Sequence, residues 1–438
     1  EVTGMGLLLA GGFILLMLLG MPIGLSIGVA SLLVIVASDL PLEMIPQTMF
    51  SGNNSFALVA VPFFILAGDI LSKGGISERI VAFAEAMLGR IRGGLSIVST
   101  IASMFIAAIS GSGAATTAAV GSALLPQLKK KGYDIDFSAA LIAAAGTIGV
   151  VIPPSVPMVL YAVIAGISVA KLFMAGFLPG FLMGAGLIVY AIVIANRRGY
   201  PAAGVRSGRE KWNLFVDALW GLMTPVIILG GIFSGFFTPS EAAAVAVIYS
   251  LFVAFFIYRT ITFRQLYELV VGAGVTSALI MFIIATAKVF GWGLAFYQIP
   301  EAVAGFLLGL AGGNTFLIYL MIAIILLISG MFMETASALI ILTPLFLPAI
   351  IRAGGNLVHF GLMITVGLAI GMATPPVAID IYVASAITGL SLEEISRPIV
   401  PMVIVLIVVF FLVVYVPEIV LLLPKLVWGA SGDRKSVV

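Results

Sequence analysis

No cysteine occurs anywhere in this chain of 438 residues, and histidine occurs once, at His359. Those absences exclude disulfide scaffolds, thiolate zinc sites, cysteine nucleophiles and His-rich metal clusters. Charge is scarce too. Lys, Arg, Asp and Glu make up 9% of the residues, against roughly a quarter in a soluble domain, which excludes an ordinary soluble enzyme. The net charge is +2 and the basic residues are scattered among short loops, so no patch is expected for nucleic acid. Apolar residues fill the space, at 62%. Runs of membrane-spanning length recur from Gly6 to Leu423 with no polar stretch long enough for a separate soluble domain, so the expected fold class is an all-α polytopic membrane protein. No basic region opens the sequence at Glu1, and no cleavable signal peptide is expected.

The first apolar stretch, Gly6 to Ser38, is broken by Gly20-Met21-Pro22 and reads as two short spans. Further spans are expected over Phe56 to Ser72, Phe137 to Ala165, Gly176 to Asn196, Leu214 to Gly235, Pro239 to Ile257, Gly272 to Phe296, Gly361 to Ala386 and Pro401 to Leu423. Loop Lys and Arg favour the cytoplasmic side. Arg197 to Lys211 is the firmest inner anchor, and Lys129-Lys130-Lys131 falls on the same side. The basic stretch Lys73 to Gly94 joins them only if Leu95 to Leu125 enters and returns. That count puts the N-terminus, Asp39 to Ser55 and Gln298 to Asn314 outside and Arg259 and Arg264 inside. It also puts the tail with Lys425, Arg434 and Lys435 outside, against the rule. Ile76 to Arg92 is amphipathic and should lie in the inner interface against lipid, with Ile299 to Ala311 in the corresponding place outside.

An offset of 222 pairs Pro126 with Pro348, Gly132 with Gly354, Gly149 with Gly371, Pro153 with Pro375, Pro154 with Pro376 and Pro179 with Pro401. Upstream, Ile109-Ser110-Gly111 pairs with Ile328-Ser329-Gly330 at offset 219, implying three extra residues in the second copy. The two Pro-Pro helices start on opposite sides, so the copies are inverted. Inverted repeats with interrupted helices are the pattern of secondary transporters. The competing reading is that each Pro-Pro merely kinks a packing helix.

The first hairpin tip, Ser110 to Thr117, and the break from Gly146 to Ser155 combine glycines, hydroxyls and carbonyls released by proline, all hard oxygen ligands suited to Na+. For Ser110 and Ser112 the alternative is close packing of small residues. The second copy offers Gly330 to Ser337 opposite Gly371 to Pro376, with carboxylates added at Glu334 and Asp380. Ionisable groups at membrane depth are functional candidates by default. The expected substrate residues are therefore Thr116, Thr147, Ser155, Glu334, Thr335, Ser337 and Asp380. Thr238-Pro239-Ser240-Glu241 reads as a capping box. Asp69 and Lys288 lie near span ends and are left outside the site. An intramembrane serine hydrolase would need His359 beside the Ser110-Gly111-Ser112-Gly113 string, and no motif places it there.

With Ile109 to Gly113, Gly146 to Ser155, Thr238 to Ala242 and Gly371 to Pro376 in view, the whole chain resembles the large membrane subunit of the TRAP (tripartite ATP-independent periplasmic) transporters, of the sialic-acid type. The resemblance implies an elevator-type, Na+-coupled importer of the bacterial inner membrane. Its partners would be a small four-helix membrane subunit and a periplasmic substrate-binding protein. It would carry an anionic carboxylate, with sialic acid first and a C4-dicarboxylate second. A stand-alone Na+- or H+-coupled carboxylate carrier and a passive channel are the rivals. One Na+ site would lie among Ser110, Ser112, Gly149, Ile152 and Pro154, the other among Gly330, Gly371 and Thr374. The expected division is a scaffold with the inner arm (1–94), the first hairpin and broken helix (95–175), scaffold and outer arm (176–315), the second hairpin and broken helix (316–398), and a last span with tail (399–438). The substrate carboxylate is expected to meet helix N-termini, since no arginine is embedded to pair with it.

Overall fold

Glycine and proline decide where the apolar runs stop being single helices. Gly20, at φ +85, and Pro22 split the first stretch into α1 (Val2–Leu18) and α2 (Ile23–Ala37). The computed structural model describes residues 2–202, 204 and 206–429. Arg434 and Lys435 of the basic tail lie outside the described residues. The stretch read as the loop Asp39 to Ser55 contains α3 (Met44–Asn53), after which a 3-10 turn leads into α4 (Ala60–Lys73). The amphipathic α5 (Ile76–Leu88) follows, then a hairpin of α6 (Gly94–Ser110) and α7 (Gly113–Lys130). The first Pro-Pro helix is α8 (Ile135–Gly146), a 3-10 turn over Thr147–Val150, and α9 (Val156–Ala165).

Three long helices come next: α10 (Val169–Arg198), α11 (Gly208–Phe233) and, after α12 (Pro239–Phe252) with its π-helical end Val253–Ile257, α13 (Phe263–Phe296). The amphipathic α14 (Ile299–Leu310) leads to the second hairpin, α15 (Thr315–Phe332) and α16 (Thr335–Arg352). The second broken helix is α17 (Leu357–Gly371) and α18 (Ile379–Thr388), followed by α19 (Leu392–Tyr415) and α20 (Pro417–Trp428). Among the described residues, eight helical segments are long and apolar enough to cross a membrane. The Thr238–Glu241 capping box is formed, and the same device starts α11, α13 and α19. It also corrects the last span: the Ser391–Glu394 box begins α19 well before Pro401, and Pro417 opens a separate α20 rather than one helix to Leu423.

The loops expected on one side meet at one end of the bundle. Lys131 and Arg206 both reach Glu85, at 3.1 and 3.8 Å, Arg198 reaches Asp134 at 2.6 Å, and Thr260 donates to the Gly74 carbonyl at 2.8 Å. At the other end, Ser240 donates to the Phe56 carbonyl at 2.7 Å and Tyr415 to that of Phe316 at 3.2 Å. The segment 95–125 therefore does enter and return, as α6 and α7.

The repeat is visible in the caps. Asp134 and Asn356 precede α8 and α17, and Ser112 and Glu334 are N-caps of α7 and α16, both pairs 222 residues apart. The structural register therefore already runs at 222 through the tip, and no three-residue insertion lies there. Ser329-Gly330 sits inside α15 because that helix runs on to Phe332, whereas Gly111, at φ +60, stops α6. Inversion is met as well: Tyr161, near the end of α9, donates to Leu357 at the start of α17 at 2.7 Å. The helices α10 and α19 pack on α8 and α17, while α2, α3 and α4 pack on α13, and α4 on α12.

Candidate functional site

The first tip is tied together by its own side chains. Ser110 Oγ and Thr116 Oγ1 are 2.8 Å apart, and both hydroxyls donate to the Ser112 carbonyl, at 3.2 and 2.8 Å. Ser112 Oγ in turn caps α7 through the Ala115 N–H, at 3.5 Å. The broken helix presses on this turn. A Cβ added at Gly149 would fall 2.5 Å from the Ser112 carbonyl and 2.6 Å from Thr116 Oγ1, and one at Gly111 would fall 2.8 Å from the Pro154 carbonyl. The structure thus brings Ser110, Ser112, Thr116, Gly149 and Pro154 together. Ile152 turns its side chain towards Gly180 of α10, so only its backbone is available to the tip.

The second tip is a backbone contact. A side chain at Gly371 would collide with Gly330, and one at Gly330 would fall 2.6 Å from the Leu368 carbonyl. Thr374 lies just beyond, its hydroxyl donating to the Ile370 carbonyl at 2.7 Å. Thr335 joins the tip to the break through the Met372 sulfur at 2.8 Å. Glu334 accepts from the Ser337 N–H at 3.1 Å, closing the start of α16.

Between the tips lies a cavity of about 390 Å³. The tips contribute Ser110 to Gly113, Glu334 and Ser337, the start of α9 contributes Val156 and Pro157, and α4 and α13 supply the facing wall with Gly68, Asp69, Thr276 and Ile280. Three helix N-termini, those of α7, α9 and α16, therefore border one space, each capped by a side chain, Ser112, Ser155 and Glu334. Among the described residues, no Lys or Arg lines it.

Not every expected substrate residue reaches this cavity. Thr147 bonds back to the Ala144 carbonyl at 2.7 Å and Ser155 to that of Val150 at 2.6 Å; both are fully buried and brace the break. Thr116 and Thr335 hold their tips together. Asp380 is fully buried behind Gly113 and does not line the cavity. Asp69, set aside on sequence, does line it, because α4 runs alongside the first tip: a Cβ at Gly68 would lie 3.3 Å from Ser110 Cα. A carboxylate one residue after a glycine in a span was the available signal. Lys288 belongs to a separate cavity with Thr48, Ser51 and Trp292. The His359 ring sits 2.8 Å from the Val413 carbonyl and stacks on Tyr319, so it is committed away from the serines.

Inverted hairpins and broken helices that close on a cavity within a bundle of spans define a multi-helix membrane permease. The chain matches the family described as "Tripartite ATP-independent periplasmic transporter, DctM component" over residues 10–419, and it belongs to that family. It is 42% identical to the isethionate TRAP transporter permease protein DctMQ of Oleidesulfovibrio alaskensis over 94% of this chain, and spans 65% of that relative's length. It is 37% identical to the C4-dicarboxylate TRAP transporter large permease protein DctM of Rhodobacter capsulatus, covering 96% of this chain and 99% of that one. Identity to the sialic acid TRAP transporter large permease protein SiaM of Vibrio cholerae is also 37%, over 95% and 98%. In fold alone it is similar to the YdaH transporter of Alcanivorax borkumensis, with a TM-score of 0.62 at 15% identity over 86% of this chain and 89% of that one. The chain is thus a multi-pass integral protein of the bacterial inner membrane.

Proposed function

We propose that the chain is the membrane-embedded permease of a Na+-coupled importer of organic acids, working with a small membrane subunit and a periplasmic binding protein. The observation that carries this reading is the convergence of three helix N-termini on a cavity without Lys or Arg. Aligned peptide dipoles place about half a positive charge at each helix start, enough to hold an anion where no side-chain cation is present. The two tip-and-break contacts beside the cavity offer hydroxyl and carbonyl oxygens, the ligands Na+ takes. Na+ bound there would offset the carboxylates of Asp69 and Glu334 and favour anion entry.

The relatives' names cover isethionate, C4-dicarboxylate and sialic acid, all organic anions. Sialic acid is the first substrate proposed and a C4-dicarboxylate the second. The mechanism proposed is an elevator: the hairpins and broken helices carry the site across, while α4, α12 and α13 stay fixed and α5 and α14 act as connecting arms. Because α10 and α19 pack on α8 and α17, we assign them to the moving body, which widens it beyond 95–175 and 316–398. A passive channel needs a continuous pore, whereas this cavity is walled by two tips. The test is uptake of radiolabelled acid into proteoliposomes holding the complete assembly. Uptake should require inward Na+ and stop when K+ replaces it; equal uptake in K+ rejects the reading.

A further inference from the structure

Asp380 is fully buried, and neither of its carboxylate oxygens has a hydrogen-bond partner among the described residues. The same holds for the hydroxyl of Thr117, also fully buried. The groups are neighbours. A Cβ built on Gly113 would lie 3.2 and 3.3 Å from the two Asp380 oxygens and 3.3 Å from the Gly146 carbonyl. One built on Gly146 would collide with Thr117 Oγ1 and lie 3.1 Å from the Gly113 carbonyl. A carboxylate and a carbonyl thus face Gly113, and a hydroxyl and a second carbonyl face the adjoining Gly146, where α18 meets the start of α7 and the end of α8. Asp380 is held there by its own N–H, which donates to the Met372 carbonyl at 3.1 Å, and by Ala378, which turns the chain into α18 at φ +47. The repeat does not demand the acid, since the residue 222 positions earlier is Met158.

A buried carboxylate with no partner is costly, and cations or protons are the available remedies. A proton covers one oxygen of Asp380 and leaves the other, and Thr117, unsatisfied. A small cation with several oxygen ligands covers them all. We infer that Asp380, Thr117 and the Gly146 carbonyl form a further Na+ site, separate from the two tip-and-break sites and joining the first repeat to the second. This rests on the Na+-coupled reading and adds a cation to it. Because the site ties α18 to the first hairpin, its occupation would make the two repeats move as one body.

The test uses the full permease with its small membrane subunit, first in detergent without organic substrate. The thermal midpoint is titrated with NaCl against choline chloride at constant ionic strength. Asp380→Asn should raise the half-saturating Na+ concentration by at least about tenfold and lower the Hill coefficient, since it removes the one charge in a buried shell. Thr117→Val should shift it in the same direction by less. In proteoliposomes with the binding protein added, the Na+ to substrate flux ratio of Asp380→Asn should fall by one. An unchanged titration and flux ratio in Asp380→Asn overturns the site. So does an altered pH dependence with intact Na+ dependence, which assigns Asp380 to a proton. If Asp380→Asn does not fold, an unchanged titration in Thr117→Val overturns it. A wild-type protein indifferent to Na+ defeats the coupled reading itself, whereas a responsive wild type with indifferent variants defeats only this site.

Discussion

Ser110 Oγ lies 2.8 Å from Thr116 Oγ1 and 3.2 Å from the Ser112 carbonyl, so Ser110→Ala removes a brace worth roughly 1 kcal/mol as well as one of the oxygens proposed for Na+. Ser112→Ala removes a helix cap of similar worth. Both variants should fold, and both should show Na+ activation of uptake weakened by more than the stability loss accounts for. Unchanged Na+ dependence in the two variants would leave only a packing role for these serines. The first tip was legible in the sequence because its serines and glycines crowd into one string that an α-helix interior would not favour. Asp380 and Asp69 were harder. Which of two carboxylates reaches the cavity depends on how α4 and α18 pack around the hairpin, and that is a tertiary fact no local pattern records.

Helix ends carry the same lesson at the scale of elements. The four capping boxes lie in plain sight as Ser or Thr followed three positions on by Glu or Gln, and the structure forms all of them. The Ser329-Gly330 string misled because its likeness to Ser110-Gly111 is one of letters. In α15 the glycine permits contact with Gly371, whereas in α6 it ends the helix. Gly371→Ala should therefore drive α15 away from α17, destabilise the protein by about 1–3 kcal/mol and raise the Na+ needed for uptake, read by thermal unfolding and Na+ titration together. At the loop end, the Tyr200 hydroxyl and then Arg198 hold the Asp134 carboxyl below its ordinary range, tying the start of α8 to the end of α10. A depressed carboxylate stabilises above its unfolded pKa and loses that contribution as pH falls through the lowered value. Asp134 is half exposed, so the effect should stay under about 1 kcal/mol after screening. Asp134→Asn should erase that part of the acid-side loss of stability, measured by comparing thermal midpoints at neutral and acid pH.

At the scale of the whole molecule, charge is placed by exclusion. Most of the basic residues sit in loops and at helix ends, and Lys288, toward the C-terminal end of the long α13, opens onto a cavity separate from the one between the tips. Lys288→Ala should therefore leave the Na+ dependence and the apparent substrate affinity of uptake close to wild type, within about threefold, since a side chain outside the site contributes little to anion binding. A hundredfold loss of affinity with intact Na+ binding would instead make Lys288 the substrate's counter-ion. The same geometry bears on selectivity. A site that grips its ligand by N–H dipoles recognises negative charge more than shape, and the relatives named for isethionate, C4-dicarboxylate and sialic acid resemble this chain to similar degrees, at 42%, 37% and 37% identity. Discrimination should then reside upstream, in the soluble protein that delivers the acid. Proteoliposomes holding the permease and its small membrane subunit should take up little free acid from outside. Adding the cognate binding protein should raise uptake at least about tenfold, because a docked donor replaces a dilute ligand with a high local concentration. Robust uptake by the permease alone would show that the cavity selects its own substrate and that the chain works as a stand-alone carrier.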